Sequence, residues 1–138
     1  MSDLHSILAT HPAKLKDEMK SSHGPVHPQA ETSEIPDLFF DEILVYYKLN
    51  RVEIMVMMFL YRQVWCRPNL YKEYGFSQIL SHTEIAKCLN VTIDDVYHAI
   101  RKLEDFSFIE TIRSGQYFVR KYFTKENDLH FGQLYDNF

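Results

Sequence analysis

Residues 81–101 read SHTEIAKCLNVTIDDVYHAIR, and this segment carries the clearest structural pattern in the chain. Its small and apolar residues recur at the spacing of two short helices that cross at a tight turn. These residues are Ile85, Ala86, Leu89, Val91, Val96 and Ala99. Asn90 takes the turn position, where Asn adopts a left-handed conformation more readily than most residues. The segment therefore predicts a helix-turn-helix.

Both helices begin at a recognisable cap. Ser81 with Glu84 has the spacing of a capping box before a helix of about residues 82–89, and Thr92 caps a helix of about residues 93–106. One side of the second helix is expected to be buried, because its apolar residues recur at helical spacing. The opposite side is expected to face solvent and carries Asp94, Tyr97, His98, Arg101 and Lys102.

Two apolar segments follow the second helix at once. IETI (109–112) and YFVRKYF (117–123) stand on either side of RSGQ (113–116), a turn-forming sequence, which predicts a β-hairpin. A hairpin directly after a helix-turn-helix forms the wing of a winged helix. The predicted fold is therefore mainly α with a small β wing at residues 109–123, a winged helix-turn-helix over residues 35–125.

Two more helices are predicted before this motif. The folded part opens at Ile35, and the apolar pattern after it predicts a helix to about Lys48. Asn50 begins a second helix with a capping box, and apolar residues surround this helix almost completely. It is expected to be the most buried helix. Residues 67–80 contain Pro, Asn and Gly, which predict a loop or a short turn of helix.

The two ends of the chain differ from the folded part in composition. Residues 1–34 are polar and predict a flexible arm, within which residues 13–20 are compatible with a short helix. The spacing of its four histidines fits no compact metal site; they are His5, His11, His23 and His27. Residues 126–138 are acidic but keep Leu129, Phe131, Leu134, Tyr135 and Phe138. This segment is expected to pack back on the domain, onto a second copy or onto a protein partner.

Composition narrows the functional classes. The 138 residues carry a net charge of -4, and residues 36–125 hold 12 Lys or Arg against 11 Asp or Glu. This balance disfavours a protein that coats nucleic acid non-specifically, because phosphate binding depends on clustered Lys and Arg. No apolar run suffices to span a bilayer and no signal peptide opens the chain, so a cytoplasmic location without a membrane partner is expected. Cys66 and Cys88 are expected to be reduced and structural.

No segment has the spacing of a catalytic site. No nucleophile stands near a base, no Gly-rich loop could hold phosphate, and no pair of carboxylates has an acid–base spacing. His82 and His98 flank the helix-turn-helix, but lone histidines at helix positions seldom have metal partners. The expectation is a protein without enzymatic activity, cofactor or metal.

The order of these signals from residue 35 to residue 123 resembles a known family of DNA-binding domains. The matching segments are IPDLFFDEIL, LNRVEIMVMMFLYRQVW, SHTEIAKCLNVT and DDVYHAIRKLEDFSFIE. They are similar to the winged-helix domain at the amino end of phage and plasmid replication initiators of the replication protein O type. The same helix-turn-helix would suit a winged-helix transcription regulator, so the family is less well defined than the fold.

The resemblance implies double-stranded DNA as a partner, with the second helix in the major groove and the wing on the backbone or minor groove. By position, the residues facing base edges or phosphates would be Thr92, Asp94, Tyr97, His98 and Arg101. Further phosphate contacts would come from Lys102, Arg113, Arg120 and Lys121. A role in replication initiation or transcription regulation follows from the resemblance alone.

Asp94 and Asp95 depart from the family pattern, which has polar or basic residues at the start of the DNA-reading helix. Their carboxylates repel phosphate, although an Asp accepts a hydrogen bond from the cytosine amino group. Carboxylates in a first helical turn are also stabilised by the helix dipole. Two functions therefore remain open: a sequence-specific DNA-binding protein, and a winged-helix adaptor that binds another protein without DNA.

Overall fold

The computed structural model describes residues 26–137. Its internal contacts divide the chain into two units, Met1–Thr32 and Ser33–Phe138. In the first unit only residues 26–32 are described; they are exposed and form no helix or strand. The helix predicted at residues 13–20 and three of the four histidines of the arm lie outside the described residues.

The second unit combines helices with one small sheet, and about half of the described residues are helical. In chain order the elements are α1 (a π-helix at Phe39–Ile43 continued by an α-helix at Leu44–Tyr46), α2 (an α-helix at Arg51–Tyr61 continued by a π-helix at Arg62–Cys66), a 3-10 turn at Lys72–Tyr74, α3 (His82–Leu89), α4 (Ile93–Asp105), β1 (Ile109–Arg113), β2 (Gln116–Val119) and α5 (Lys125–His130). This is the predicted combination of helices with a small β-hairpin. Every helix within residues 26–137 is too short or too polar to span a bilayer.

Helix α1 is shorter than predicted. It ends at Tyr46, whereas the apolar pattern predicted a helix to about Lys48. The backbone of Lys48 has a φ of 55°, in the left-handed region, which is incompatible with a continuing right-handed helix. Phe39 of this helix is buried and packs against Phe123, with ring centroids 5.3 Å apart.

Helix α2 forms the centre of the core, as predicted. A complete capping box fixes its first turn, because the Glu53 N–H donates to the Asn50 side chain at 2.8 Å and the Asn50 N–H donates to the Glu53 carboxylate at 2.9 Å. Val56, Leu60 and Val64 are fully buried along the helix. Burial on most sides explains why the sequence of α2 has almost no polar face.

Helices α3 and α4 occupy the predicted positions. Asn90 between them has φ 55° and ψ 49°, so the predicted left-handed turn is confirmed. Thr92 caps α4, because its hydroxyl oxygen accepts a hydrogen bond from the Asp95 N–H at 3.0 Å. The cap at Ser81 is also present, but the predicted capping box is incomplete. The Ser81 hydroxyl donates to the Glu84 carboxylate at 3.2 Å. The Ser81 N–H does not donate to that carboxylate, so the second bond of a capping box is absent.

The second strand of the hairpin is shorter than predicted. Strands β1 and β2 pair antiparallel, with Ile109 opposite Val119, but β2 ends at Val119 and not at residue 123. The predicted wing of residues 109–123 is therefore wrong at its end. The Arg120 N–H still donates to the Phe108 carbonyl at 3.2 Å, while its side chain contacts α5. The chain turns after this residue, and Phe123 has a φ of 73°.

Residues 75–80 pair with the edge of β2 that does not face β1. The sequence did not indicate this pairing. The Ser77 N–H donates to the Tyr117 carbonyl at 2.8 Å, and the Val119 N–H donates to the Gly75 carbonyl at 2.8 Å. The Leu80 N–H donates to the Gly115 carbonyl. Strand β2 thus lies between β1 and this segment, and all four of its residues are buried.

The segment after the hairpin packs on it through a buried carboxylate. Asp128 is 3% exposed and accepts hydrogen bonds from Arg120 Nη1 at 3.2 Å, the Tyr122 N–H at 3.0 Å and the Tyr135 hydroxyl at 2.7 Å. The Tyr135 ring packs edge-on against Phe118, with centroids 4.7 Å apart. Burial is the main cause that raises the pKa of Tyr135 above its ordinary value, so its hydroxyl stays protonated as a donor. Asp128 and Tyr135 therefore fasten residues 128–135 to the sheet.

Replacing Asp128 with Ala is expected to lower the free energy of unfolding by about 2–4 kcal/mol, because Arg120 and the Tyr135 hydroxyl lose a buried partner. Asp136→Ala is the matched control, since its side chain is exposed and only its backbone N–H is used in a hydrogen bond. Urea denaturation measures both variants. Equal unfolding midpoints for the two would contradict the structural role given to Asp128.

Candidate nucleic-acid interface

The solvent-facing side of α4 carries the residues that the sequence pattern assigned to it. Tyr97 is 43% exposed. The other four residues assigned to this side are also exposed: Asp94, His98, Arg101 and Lys102. Val96, Ile100 and Leu103 on the other side are buried. The predicted division of this helix into a buried and an exposed side is confirmed.

Arg101 is held by the residue one helical turn before it. Its Nη1 donates to the Tyr97 hydroxyl at 2.9 Å, and its guanidinium carbon lies 5.7 Å from the centroid of the Tyr97 ring. The His98 ring packs edge-on against the same tyrosine, with centroids 5.5 Å apart. A guanidinium has five N–H donors, so most of them stay available to a phosphate or a base edge.

A groove of about 230 Å³ separates α4 from the hairpin. Tyr97, Arg101 and Glu104 line it on the α4 side, and Ser114 and Gly115 line it on the hairpin side. The exposed side of α4 and the hairpin turn therefore border one concave surface. Its charges are mixed, because a guanidinium and a carboxylate both face it.

His82 and Tyr117 meet in this groove. His82 Nε2 and the Tyr117 hydroxyl form a hydrogen bond of 2.9 Å, and Tyr117 is 1% exposed. Burial raises the pKa of Tyr117 above its ordinary value of 10.0, and the negative charge of Glu104 raises it further. The hydroxyl therefore stays protonated at neutral pH and fixes the imidazole at the start of α3.

Arg113 lies beside the hairpin turn and is exposed. Its Nε donates to the side-chain oxygen of Gln116 at 2.9 Å. That glutamine is 1% exposed and donates through Nε2 to the Ser77 carbonyl at 2.9 Å. The buried amide orients the guanidinium, and no described residue accepts from its Nη groups. Arg113 is thus an oriented cation at the hairpin turn.

Arg120 does not border the groove. It pairs with Asp128, its Nε donates to the Ser107 carbonyl at 3.0 Å, and its guanidinium carbon lies 5.1 Å from the Phe118 ring centroid. Its side chain is only 18% exposed, and its charge is compensated by a buried carboxylate. These contacts hold the end of the hairpin against α5. Few N–H donors of the Arg120 guanidinium therefore remain available to a phosphate.

Lys121 lies in a separate cleft. Its Nζ is 5.6 Å from the Trp65 ring centroid and 5.8 Å from the Tyr122 ring centroid. Glu34 and Asp37 line the same cleft, which shares no lining residue with the α4 groove. The structure therefore groups Arg101 with the hairpin turn but does not bring Arg120 or Lys121 into that groove.

Thr92 and Asp94 lie at the start of α4. The Thr92 hydroxyl oxygen is occupied as the helix cap, although its proton stays available to a further acceptor. Asp94 is exposed, and none of the described residues forms an ion pair with it. The first turn of α4 carries Asp94 and Asp95, whereas its second half combines Arg101 and Lys102 with Glu104 and Asp105.

Seven lining residues of the groove were not predicted as part of the site: His82, Ile100, Glu104, Thr111, Ser114, Gly115 and Tyr117. Glu104 accepts a hydrogen bond from the Thr111 hydroxyl at 3.1 Å, which links α4 to β1. His82 and Tyr117 are 35 positions apart in the chain, so no local pattern relates them. The pairing of residues 75–80 with β2 places the start of α3 beside Tyr117.

No three His, Cys, Asp or Glu side chains converge as a metal site within residues 26–137. The chain matches no protein-family model, no curated protein and no solved structure at a significant level. The arguments for function therefore depend on the residues themselves.

Gly115→Ala is expected to destabilise the hairpin edge of the groove. Gly115 has a φ of 81°, and a Cβ there would lie 3.0 Å from the Leu80 carbonyl oxygen. Gly132 is a matched control, with a φ of 70° and nothing within 4 Å of a Cβ. Gly132→Ala should cost about 1 kcal/mol for the left-handed backbone, and Gly115→Ala about 2–3 kcal/mol. Equal losses in urea denaturation would show that the contact with Leu80 is unimportant.

Proposed function

We propose that this protein is a winged-helix protein that binds duplex DNA through α4 and the β-hairpin. The observation that carries the proposal is the shared groove, in which the exposed side of α4 faces the turn of the hairpin that follows it. A helix-turn-helix places its second helix in the major groove, and a hairpin on the same side reaches the neighbouring backbone. The proposed interface therefore centres on Tyr97, Arg101 and the residues around Ser114.

Two arginines are the central residues of this proposal. Arg101 is supported by Tyr97, so part of its side-chain entropy is already lost before binding, and its free donors suit guanine or phosphate. Arg113 is oriented by Gln116 and suits a phosphate beside the hairpin turn. His98, Thr92 and Asp94 are secondary candidates, with Asp94 suited to a cytosine amino group.

The proposed binding uses few cations. Arg101 and Lys102 of α4 and Arg113 at the hairpin turn are exposed, whereas Arg120 is paired with Asp128. Three phosphate contacts correspond to a slope of about -3 in a plot of log affinity against log salt. Such a protein binds random DNA weakly, and specificity depends on base contacts or on a second binding unit.

A second candidate function is a winged-helix adaptor that binds another protein. The observation that favours it is the C-terminal segment, where Leu129 is 70% exposed, Phe131 52% and Leu134 83%. Exposed apolar side chains that lie close together in sequence suit a protein partner or a second copy better than DNA. The choice between replication initiation and transcription regulation depends on the sequence resemblance described above.

The test is fluorescence anisotropy of labelled duplexes at several salt concentrations. Replacing both Arg101 and Arg113 with Ala should weaken binding about tenfold or more and reduce the salt slope by about 2, because two cations are lost. A double variant with Arg51→Ala and Lys72→Ala loses the same charge at exposed positions outside the groove. Its affinity should stay close to that of the wild type.

Two results would contradict the proposal. One is the absence of salt-sensitive binding at low ionic strength, which would favour the adaptor function. The other is an equal loss in both double variants, which would mean that net charge and not the α4 groove determines the affinity.

A further inference from the structure

A further cavity lies on α2, away from the α4 groove. It has a volume of about 290 Å³ and shares no lining residue with that groove. One wall is α2, and the opposite wall includes Ser33 and Ile35 together with Leu89, the last residue of α3. This volume equals that of about ten water molecules in the liquid, at roughly 30 Å³ for each.

The wall of this cavity is mainly apolar. Its principal contributors are Ile35, Met55, Met58, Phe59 and Leu89. Met55 and Met58 are partly exposed, although neighbours of the same helix are fully buried. Unbranched thioether side chains adapt to ligands of irregular shape, which suits the lining of a binding site.

The polar groups of the cavity are mostly committed to other contacts. The Cys66 thiol donates to the Glu34 carbonyl at 3.3 Å, and the Tyr61 hydroxyl donates to the Lys121 carbonyl at 2.9 Å. The thiol contact joins the segment that forms the outer wall to the end of α2. Neither group is free to bind a charged ligand strongly.

Ser33 and Arg62 are the exceptions, and of these two Arg62 carries the charge. It lines the cavity, its side chain is exposed, and no described residue forms a hydrogen bond or an ion pair with its guanidinium. None of the described lining residues is acidic. A guanidinium that pairs with none of residues 26–137 and lies at the edge of an apolar cavity complements a ligand with an apolar body and one anionic end.

We infer that this cavity binds a small amphipathic carboxylate, with its aliphatic part against Met55, Met58 and Leu89 and its carboxylate on Arg62. A guanidinium binds a carboxylate through two parallel N–H donors, a geometry that an ammonium cannot provide. The cavity volume of about 290 Å³ suits a small ligand. This inference does not depend on DNA binding, because the two sites share no residue.

Octanoate is the probe, because its hydrocarbon chain and carboxylate match the volume and the charge of the site. The full chain with labelled methionine methyl groups is titrated with octanoate and followed by NMR. The methyl resonances of Met55 and Met58 should shift to saturation with a Kd of about 0.1–1 mM. The buried Met57 methyl, which does not line the cavity, should shift little.

Arg62→Gln tests the charged end of the site without removing a core side chain. Its Kd for octanoate should rise about fivefold or more, while Arg51→Gln, at an exposed position near the other end of α2, should leave it unchanged. 1-Octanol, which lacks the charge, should bind the wild type more weakly than octanoate by a similar factor. Equal urea midpoints for the variants would show that the fold is intact.

Three results would overturn the inference. They are the absence of saturable shifts up to about 10 mM octanoate, equal affinity of Arg62→Gln and wild type, and equal affinity for octanol and octanoate. The first would indicate a cavity that takes no such ligand. The other two would show that Arg62 does not recognise the anion.

Discussion

The fold depends on the complete burial of β2. A strand that is buried along its whole length must satisfy the backbone hydrogen bonds on both of its edges, because an unpaired buried N–H or carbonyl is costly. β1 satisfies one edge and residues 75–80 satisfy the other. Where the pairing ends, the Trp65 indole N–H donates to the Val119 carbonyl at 3.0 Å. The sheet is thereby joined to the end of the central helix α2.

This constraint also positions the groove. The pairing of Leu80 with Gly115 brings the start of α3 beside the hairpin turn, and His82 follows two residues later. The buried amide of Gln116 then orients Arg113 while bonding to Ser77 on the neighbouring segment. The polar surface that we propose for DNA therefore depends on hydrogen bonds inside the sheet.

Local signals predicted the helices well. The bounds of α3 and α4, the left-handed Asn90 and the capping box at Asn50 each depend on residues within four positions of one another. The exposed side of α4 follows from the same short-range periodicity. Features that depend on distant residues could not be predicted, including the pairing of residues 75–80 with β2. The assignment of Arg120 to phosphate overlooked Asp128 because a buried ion pair is no part of a periodic pattern.

The contact between Tyr135 and Phe118 has a consequence for where this fold can be divided. The sequence placed a boundary at residue 125, but a fragment ending there would lack Asp128 and Tyr135. Arg120 would then be a partly buried cation without its carboxylate, and the Phe118 and Trp65 rings would lose the aromatic cover that Tyr135 supplies. During synthesis on a ribosome, the hairpin likewise stays incompletely covered until residues 128–135 have emerged. The sheet can therefore complete its packing only after this short segment has been made.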